Sequence, residues 1–205
     1  MQSQAGQFIV IEGLDGAGTT TQCATLAAWL RVQGVDVHTT CEPTDGPIGK
    51  LIRSTLRQEE GHVDKHALPW LFAADRADHI QTVVLPTLNT GAWVLSDRYV
   101  PSSLAYQSLS MPIDWVAELN APFPRPVLTL FLDVPVDECM RRIHSRDEVR
   151  EIFERKDKLE QVAKNYESVL TFMKNRGDRV IRVDATGAKE DTATAIASVI
   201  QETLL

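Results

Sequence analysis

Three groups of residues have the types and spacing to do chemistry, and together they point to phosphate and a planar ring. The run Gly13-Leu-Asp-Gly-Ala-Gly-Thr-Thr20 has the glycine spacing and hydroxyl position of GxxxxGK[ST] and directly follows a short apolar stretch. Glycines at such a turn permit positive φ and close approach, so successive backbone N–H groups and the N-terminus of the next helix can surround phosphate oxygens. Gly13, Asp15, Gly16, Ala17, Gly18, Thr19, Thr20 and Thr21 are the expected phosphate-loop contacts, with the Thr20 hydroxyl as a magnesium ligand. The departure is Thr19, where the motif has a lysine that reaches the β- and γ-phosphates. In Trp93-Val-Leu-Ser-Asp-Arg-Tyr99 an apolar strand ends in an acid and a base: Asp97 could hold magnesium or its waters, and Arg98 could clamp a phosphate bidentately. Phe72-Ala-Ala-Asp-Arg76 sets a ring and a guanidinium four residues apart on one helix face, an arrangement suited to a planar base. Taken singly, each has a plainer reading: a tight strand-to-helix turn, a surface ion pair, and a core Phe beside a solvated Arg.

Short β-branched or apolar runs alternate with helix-period stretches, which predicts an α/β fold with a mostly parallel sheet covered on both faces. Strands are expected at Phe8 to Glu12, Val35 to Thr40, Trp93 to Ser96, Val127 to Leu132 and Val180 to Val183. Between the first two, Cys23, Leu26, Ala27 and Leu30 recur at helical spacing and Gly34 stands where a helix would stop. A short helix is expected from Pro47 through Arg57, and a longer one from about Asp64 to Leu85, halted by Pro86. From Ile152 to Lys174 the residues Leu159, Val162, Tyr166, Val169 and Met173 repeat in steps of three and four, a core-facing amphipathic helix.

The 205 residues, 43% hydrophobic and 24% charged, predict a single domain over 1–205 rather than a disordered or disulfide-stapled chain. A net charge of -7 argues against a general nucleic-acid binder. Cys23, Cys41 and Cys139 form no CxxC pair and read as reduced thiols. His62 and His66 lack the glutamate of HExxH, so no zinc site is expected, and His38, His79 and His144 read as packing or surface residues. Without a leader-like start or a long apolar run, the expectation is a soluble, cytoplasmic protein that does not enter a membrane.

In order and across nearly the whole chain, FIVIEGLDGAGTTTQ, EPTDGPIGKLIR, LFAADRADH, SDRYVPSSLAYQ and LFLDVPVDECMRRI resemble the thymidylate kinase family. The resemblance implies a P-loop nucleoside-monophosphate kinase fold, a three-layer sandwich on a five-stranded sheet, and transfer of the γ-phosphoryl group of ATP to dTMP with Mg2+, in a homodimer. It further implies that Phe72 stacks on thymine, that Arg76 reads a base carbonyl, and that Arg53 and Arg98 hold the acceptor phosphate. Asp15 would approach the sugar 3′-hydroxyl, while Ser103, Tyr106 and Gln107 would line the base and the 2′ side. Arg142 matches the arginine on which the family stacks adenine, and Glu42 and Asp97 match acids near magnesium. An arginine is common in the family where this chain has Cys41, so that contact does not transfer.

A phosphate monoester has a second pKa near 6, so its oxygen is already largely a nucleophile at neutral pH and no general base is needed. What remains is to align two polyanions and neutralise charge, which requires cations. With Thr19 unable to supply one, the arginines in and beside the charged segment HSRDEVRE are the candidates: Arg146, Arg150 and Arg155, in a mobile lid over about 144–155. Two other readings stay open on the residues alone. One is a kinase for a related nucleotide or a deoxynucleoside; the other is a nucleotide-sensing module with weak catalysis.

Overall fold

The computed structural model describes residues 6–59, 63–145 and 155–205. Five parallel strands form one sheet: β1 (Phe8–Gly13), β2 (Val37–Cys41), β3 (Trp93–Asp97), β4 (Leu128–Asp133) and β5 (Val180–Asp184), in the order β2-β3-β1-β4-β5. All five expected strands are present, with bounds one or two residues different at most ends. Side chains alternate along β1, whose residues are all buried. Ile9 and Ile11 join the larger core with Leu26 and Leu30, while Phe8 and Val10 join a smaller one closed by Ile80, Val84 and Tyr99. The register pairs Ile11 with Asp97, and Asp97 with Cys41, so the carboxyl ends of β1, β3 and β2 finish side by side. Ligands of parallel sheets bind at this edge.

Helix α1 (Thr19–Val32) follows the glycine-rich loop, and α2 (Pro47–Leu56) follows β2 with Pro47 in its first turn. A 3-10 turn at Lys65–Ala67 precedes α3 (Leu68–His79), so the long helix expected from Asp64 acquires its α geometry only at Leu68, with Pro69 in its first turn. The expected halt at Pro86 is not observed. A π-turn at Ile80–Val84 leads into α4 (Leu85–Asn89), with Leu85 N–H donating to the Ile80 carbonyl five residues back. A proline ring collides with the carbonyl four residues earlier in an α-helix; the wider turn relieves that crowding and lets the chain continue.

Helix α5 (Val100–Gln107) begins right after β3, followed by α6 (Ile113–Asn120), and α7 (Val136–His144) follows β4. Helix α8 (Lys156–Asn175) buries Leu159, Val162, Tyr166, Val169 and Met173, the stripe its sequence spacing predicts; residues 152–154 of the expected helix lie outside the described residues. Fully burying an aliphatic side chain contributes about 1.5–3 kcal/mol, so this stripe anchors α8 and with it Tyr166. Helix α9 (Lys189–Thr203) closes the fold. No helix among the described residues is long and apolar enough to cross a membrane.

Candidate active site

The loop between β1 and α1 is shaped by its glycines. Gly16 and Gly18 have φ of 85° and 95°, the left-handed region that penalises a Cβ. A Cβ on Gly16 would also lie 2.5 Å from the Cys139 carbonyl oxygen in α7, whereas one on Gly18 would meet nothing within 4 Å. The loop is thus packed against α7 on one side and open on the other. Gly18 precedes Thr19 at the head of α1 without a side-chain cap, and the first turn has no acid, so its N–H groups face the loop with no competing carboxylate. Thr19 is buried and Thr20 and Thr21 are exposed.

Thr20 Oγ1 donates to Asp97 Oδ2 at 2.5 Å, joining α1 to the end of β3. Asp97 is 8% exposed, and its other oxygen, Oδ1, is buried without a partner. A hydroxyl and a carboxylate with an unsatisfied oxygen fit a hard cation that takes most of its remaining ligands from water and phosphate, as Mg2+ does. No cluster of three or more His, Cys, Asp or Glu with metal-binding geometry occurs among the described residues, and His62 lies outside them.

Across from the loop lies a cleft of about 480 Å³, lined by Asp15, Phe72, Arg76, Arg98, Ser103, Tyr106 and Gln107 together with Glu42 and Pro43. Seven of the eight residues expected to hold the acceptor therefore share one cavity. Arg53 stands just behind it: its Nη2 donates to the Pro43 carbonyl and to Cys41 Sγ at 3.7 Å, and pairs with Asp45 at 3.6 Å. Arg98 sits at φ 70°, a strained conformation for a residue other than glycine, and is held by three side-chain bonds. Nη1 donates to Gly13 O at 2.8 Å and Ser102 Oγ at 3.1 Å, and Nη2 to Asp15 Oδ1 at 2.6 Å. Burial works against its charge, but Tyr106 and Asp15 beside it keep its pKa well above the ordinary arginine value. Asp15 N–H in turn donates to Tyr106 Oη at 3.1 Å, fixing the phosphate loop to α5.

Arg76 is 1% exposed and bonded on several sides. Nε and Nη2 donate to Glu42 Oε2 at 2.8 and 2.7 Å, Nη2 also donates to Ser103 Oγ at 3.0 Å, and Nη1 donates to Asn120 Oδ1. Glu42 was expected beside magnesium; in the structure its Oε2 is taken by Arg76 and its Oε1 lies 2.9 Å from His79 Nδ1. Gln107 Nε2 reaches Ser103 Oγ at 3.4 Å, while its Oε1 is buried with no partner. On the far side of the loop, Arg142 donates to Ala17 O at 3.4 Å and Ala185 O at 2.9 Å, with Nε on Glu138 at 2.6 Å. Arg146 and Arg150 lie outside the described residues; Arg155 is exposed and paired with Asp157 at 3.1 Å.

Sequence reasoning did not single out Glu12, the buried centre of this assembly. Its Oε1 accepts from Tyr99 N and Ser102 N at 2.9 and 3.2 Å, and its Oε2 from Ser102 Oγ and Tyr166 Oη at 2.6 and 2.9 Å. Burial pushes its carboxyl above the ordinary 4.5, while Arg98 and the Ser102 and Tyr166 bonds oppose that rise. The signal was available: a single acid inside the apolar run Phe8-Ile-Val-Ile-Glu12, in a strand with room for no exposed face.

A loop that offers main-chain donors to one polyanion, facing a cleft that offers guanidinium groups to another, is the arrangement of a P-loop phosphotransferase. The sequence comparisons narrow the class. The family described as Thymidylate kinase matches residues 11–196. A relative described as "Probable thymidylate kinase" from Thermococcus onnurineus (strain NA1) is 40% identical over 206 residues, covering 97% of this chain and 98% of the relative. One of the same description from Pyrococcus horikoshii is 38% identical, covering 98% of each chain. A "Thymidylate kinase" from Desulfotalea psychrophila is 39% identical over 171 residues, covering 82% of this chain and 84% of that one. The chain belongs to the thymidylate kinase family.

Proposed function

We propose that the protein transfers the γ-phosphoryl group of ATP to dTMP, giving ADP and dTDP. The observation that carries this reading is the base end of the cleft: the half-buried ring of Phe72, a donor in Arg76 and the unpartnered acceptor Gln107 Oε1. A pyrimidine imide edge, carbonyl beside N–H, satisfies that donor and acceptor together. Tyr106 closes the 2′ side against a ribose hydroxyl, and Arg98, with Arg53 behind it, meets the acceptor phosphate. Asp15, bonded to Arg98, faces the sugar.

The acceptor oxygen needs no base, so the chain's task is alignment and charge neutralisation. Loop amides at Gly16, Gly18 and Thr19 and the head of α1 hold the donor phosphates, and Arg142 carries the donor base. Thr20 and Asp97 hold Mg2+, which when bound neutralises phosphate charge and orients the donor. A lid arginine, Arg146 or Arg150, supplies the cation that Thr19 does not. The resemblance extends the proposal to a homodimer in the cytoplasm and to a single domain over 1–205 with a lid at about 144–155. A sensing module without transfer is not favoured, since it has no use for a second guanidinium cleft across from the loop.

An ADP-release assay with dTMP, dUMP, UMP and thymidine, with direct detection of dTDP, tests the reading. Preferred turnover of dTMP is expected; tight binding of dTMP and ATP without dTDP formation would sink it. Removing one preorganised transition-state donor costs on the order of 3 kcal/mol. Arg146→Ala or Arg150→Ala should thus lower turnover roughly a hundredfold, and unaltered turnover in both, and in Arg155→Ala, would refute the lid assignment.

A further inference from the structure

Glu42 does more than neutralise a buried arginine. A guanidinium has five N–H donors and no acceptor. Of those on Arg76, two go to Glu42, one to Ser103 and one to Asn120, leaving one on Nη1 for the cleft the residue lines. The rings of Tyr99 and Phe123 lie 5.0 and 5.6 Å from its central carbon and add cation–π contacts to its confinement. The carboxylate that clamps it is itself clamped. Glu42 is 4% exposed, its Oε1 is 2.9 Å from His79 Nδ1, and His79 Nε2 is 2.7 Å from Thr40 Oγ1 in β2. A relay of groups, half-buried at Thr40 and buried beyond it, therefore runs from the edge strand of the sheet to the base end of the cleft.

We propose that Glu42 is a positioning residue that sets base specificity: by immobilising Arg76 as a donor, it makes the cleft reject a pyrimidine with an amino group at position 4 and accept one with a carbonyl there. This rests on the reading that Arg76 meets the base. A loosely held guanidinium could swing away from an amino group, whereas a clamped one leaves two donors face to face.

The test measures kcat/KM for dTMP, dUMP and dCMP in Glu42→Gln, His79→Gln and Arg76→Lys, with folding followed by denaturant unfolding. Glu42→Gln keeps the shape and an acceptor but weakens the clamp, and is expected to lower the dTMP-to-dCMP ratio by roughly tenfold or more. His79→Gln, which loosens the carboxylate from behind, should shift the ratio the same way by less. A purely structural residue would depress dTMP and dCMP turnover equally, and an unchanged ratio in Glu42→Gln overturns the proposal. If Glu42→Gln does not fold, the ratio in His79→Gln decides. Arg76→Lys separates the two ideas: a ratio that survives it refutes base contact by Arg76, whereas a ratio lost in Arg76→Lys but kept in Glu42→Gln refutes only the positioning role.

Discussion

The two halves of the site are built from different materials. The acceptor half is a lattice of side chains that satisfy one another before any ligand arrives: Glu42, Arg76, Ser103, Asn120 and His79 on one side, Asp15, Arg98, Ser102 and Glu12 on the other. The donor half is mostly main chain, a glycine turn whose open face meets nothing at Gly18, with one orphaned carboxylate oxygen at Asp97. The difference teaches where stability and function separate. Residues of the lattice carry both, because removing one strands a buried partner; Thr20, exposed and bonded through its hydroxyl to Asp97, carries function with less structural consequence.

The sharpest break of that contrast comes at Arg98. Arg98→Ala removes the guanidinium that bridges the loop, Asp15 and Ser102, and turnover should fall by roughly a hundredfold to a thousandfold in the ADP-release assay. Next, Arg76→Met strands Glu42 as an uncompensated buried charge, so urea unfolding should show a loss of about 3–5 kcal/mol. Thr20→Val on the donor half should reduce turnover at least tenfold, yet cost only about 1–3 kcal/mol by leaving Asp97 without its hydroxyl partner. If Thr20→Val destabilised the fold as much as Arg76→Met, the division of labour would be wrong.

The smallest effect sits at the rim of the donor half. Glu138 is pulled down to about 2 by hydrogen bonds from Arg141 and Arg142. A depressed carboxyl stabilises the fold above its ordinary 4.5, and that contribution is lost as pH falls from 4.5 toward 2. Glu138→Gln should lower Tm slightly near neutrality and flatten the Tm profile between pH 4.5 and 2, where the parent loses the contribution.

Much of the donor half was legible because its chemistry is local in sequence. Glycine spacing, the Thr20 hydroxyl and a strand end at Asp97 can be read from short runs. Phe72 and Arg76 were legible for the same reason, being four apart on one helix. The lattice was not. Asn120, Tyr166 and Glu12 join it from α6, α8 and β1, and their partners are 44, 154 and 90 residues away, distances at which no periodicity speaks. Glu42 shows the cost: the resemblance placed it near the metal, and only packing against α3 turns it to Arg76. Pro86 misled for a related reason, since proline's veto applies to α geometry and the π-turn before it changes the rule.

The contact between Gly16 and the Cys139 carbonyl has a mechanical meaning. With no space for even a methyl group between them, the turn and α7 form one rigid body, and Arg142 rides on that body three residues beyond Cys139. If Arg142 carries the donor base as proposed, the span from it to the phosphate loop is fixed at this backbone contact. Under that proposal, the contact would act as a gauge that measures the length of a donor nucleotide before any side chain has to recognise it.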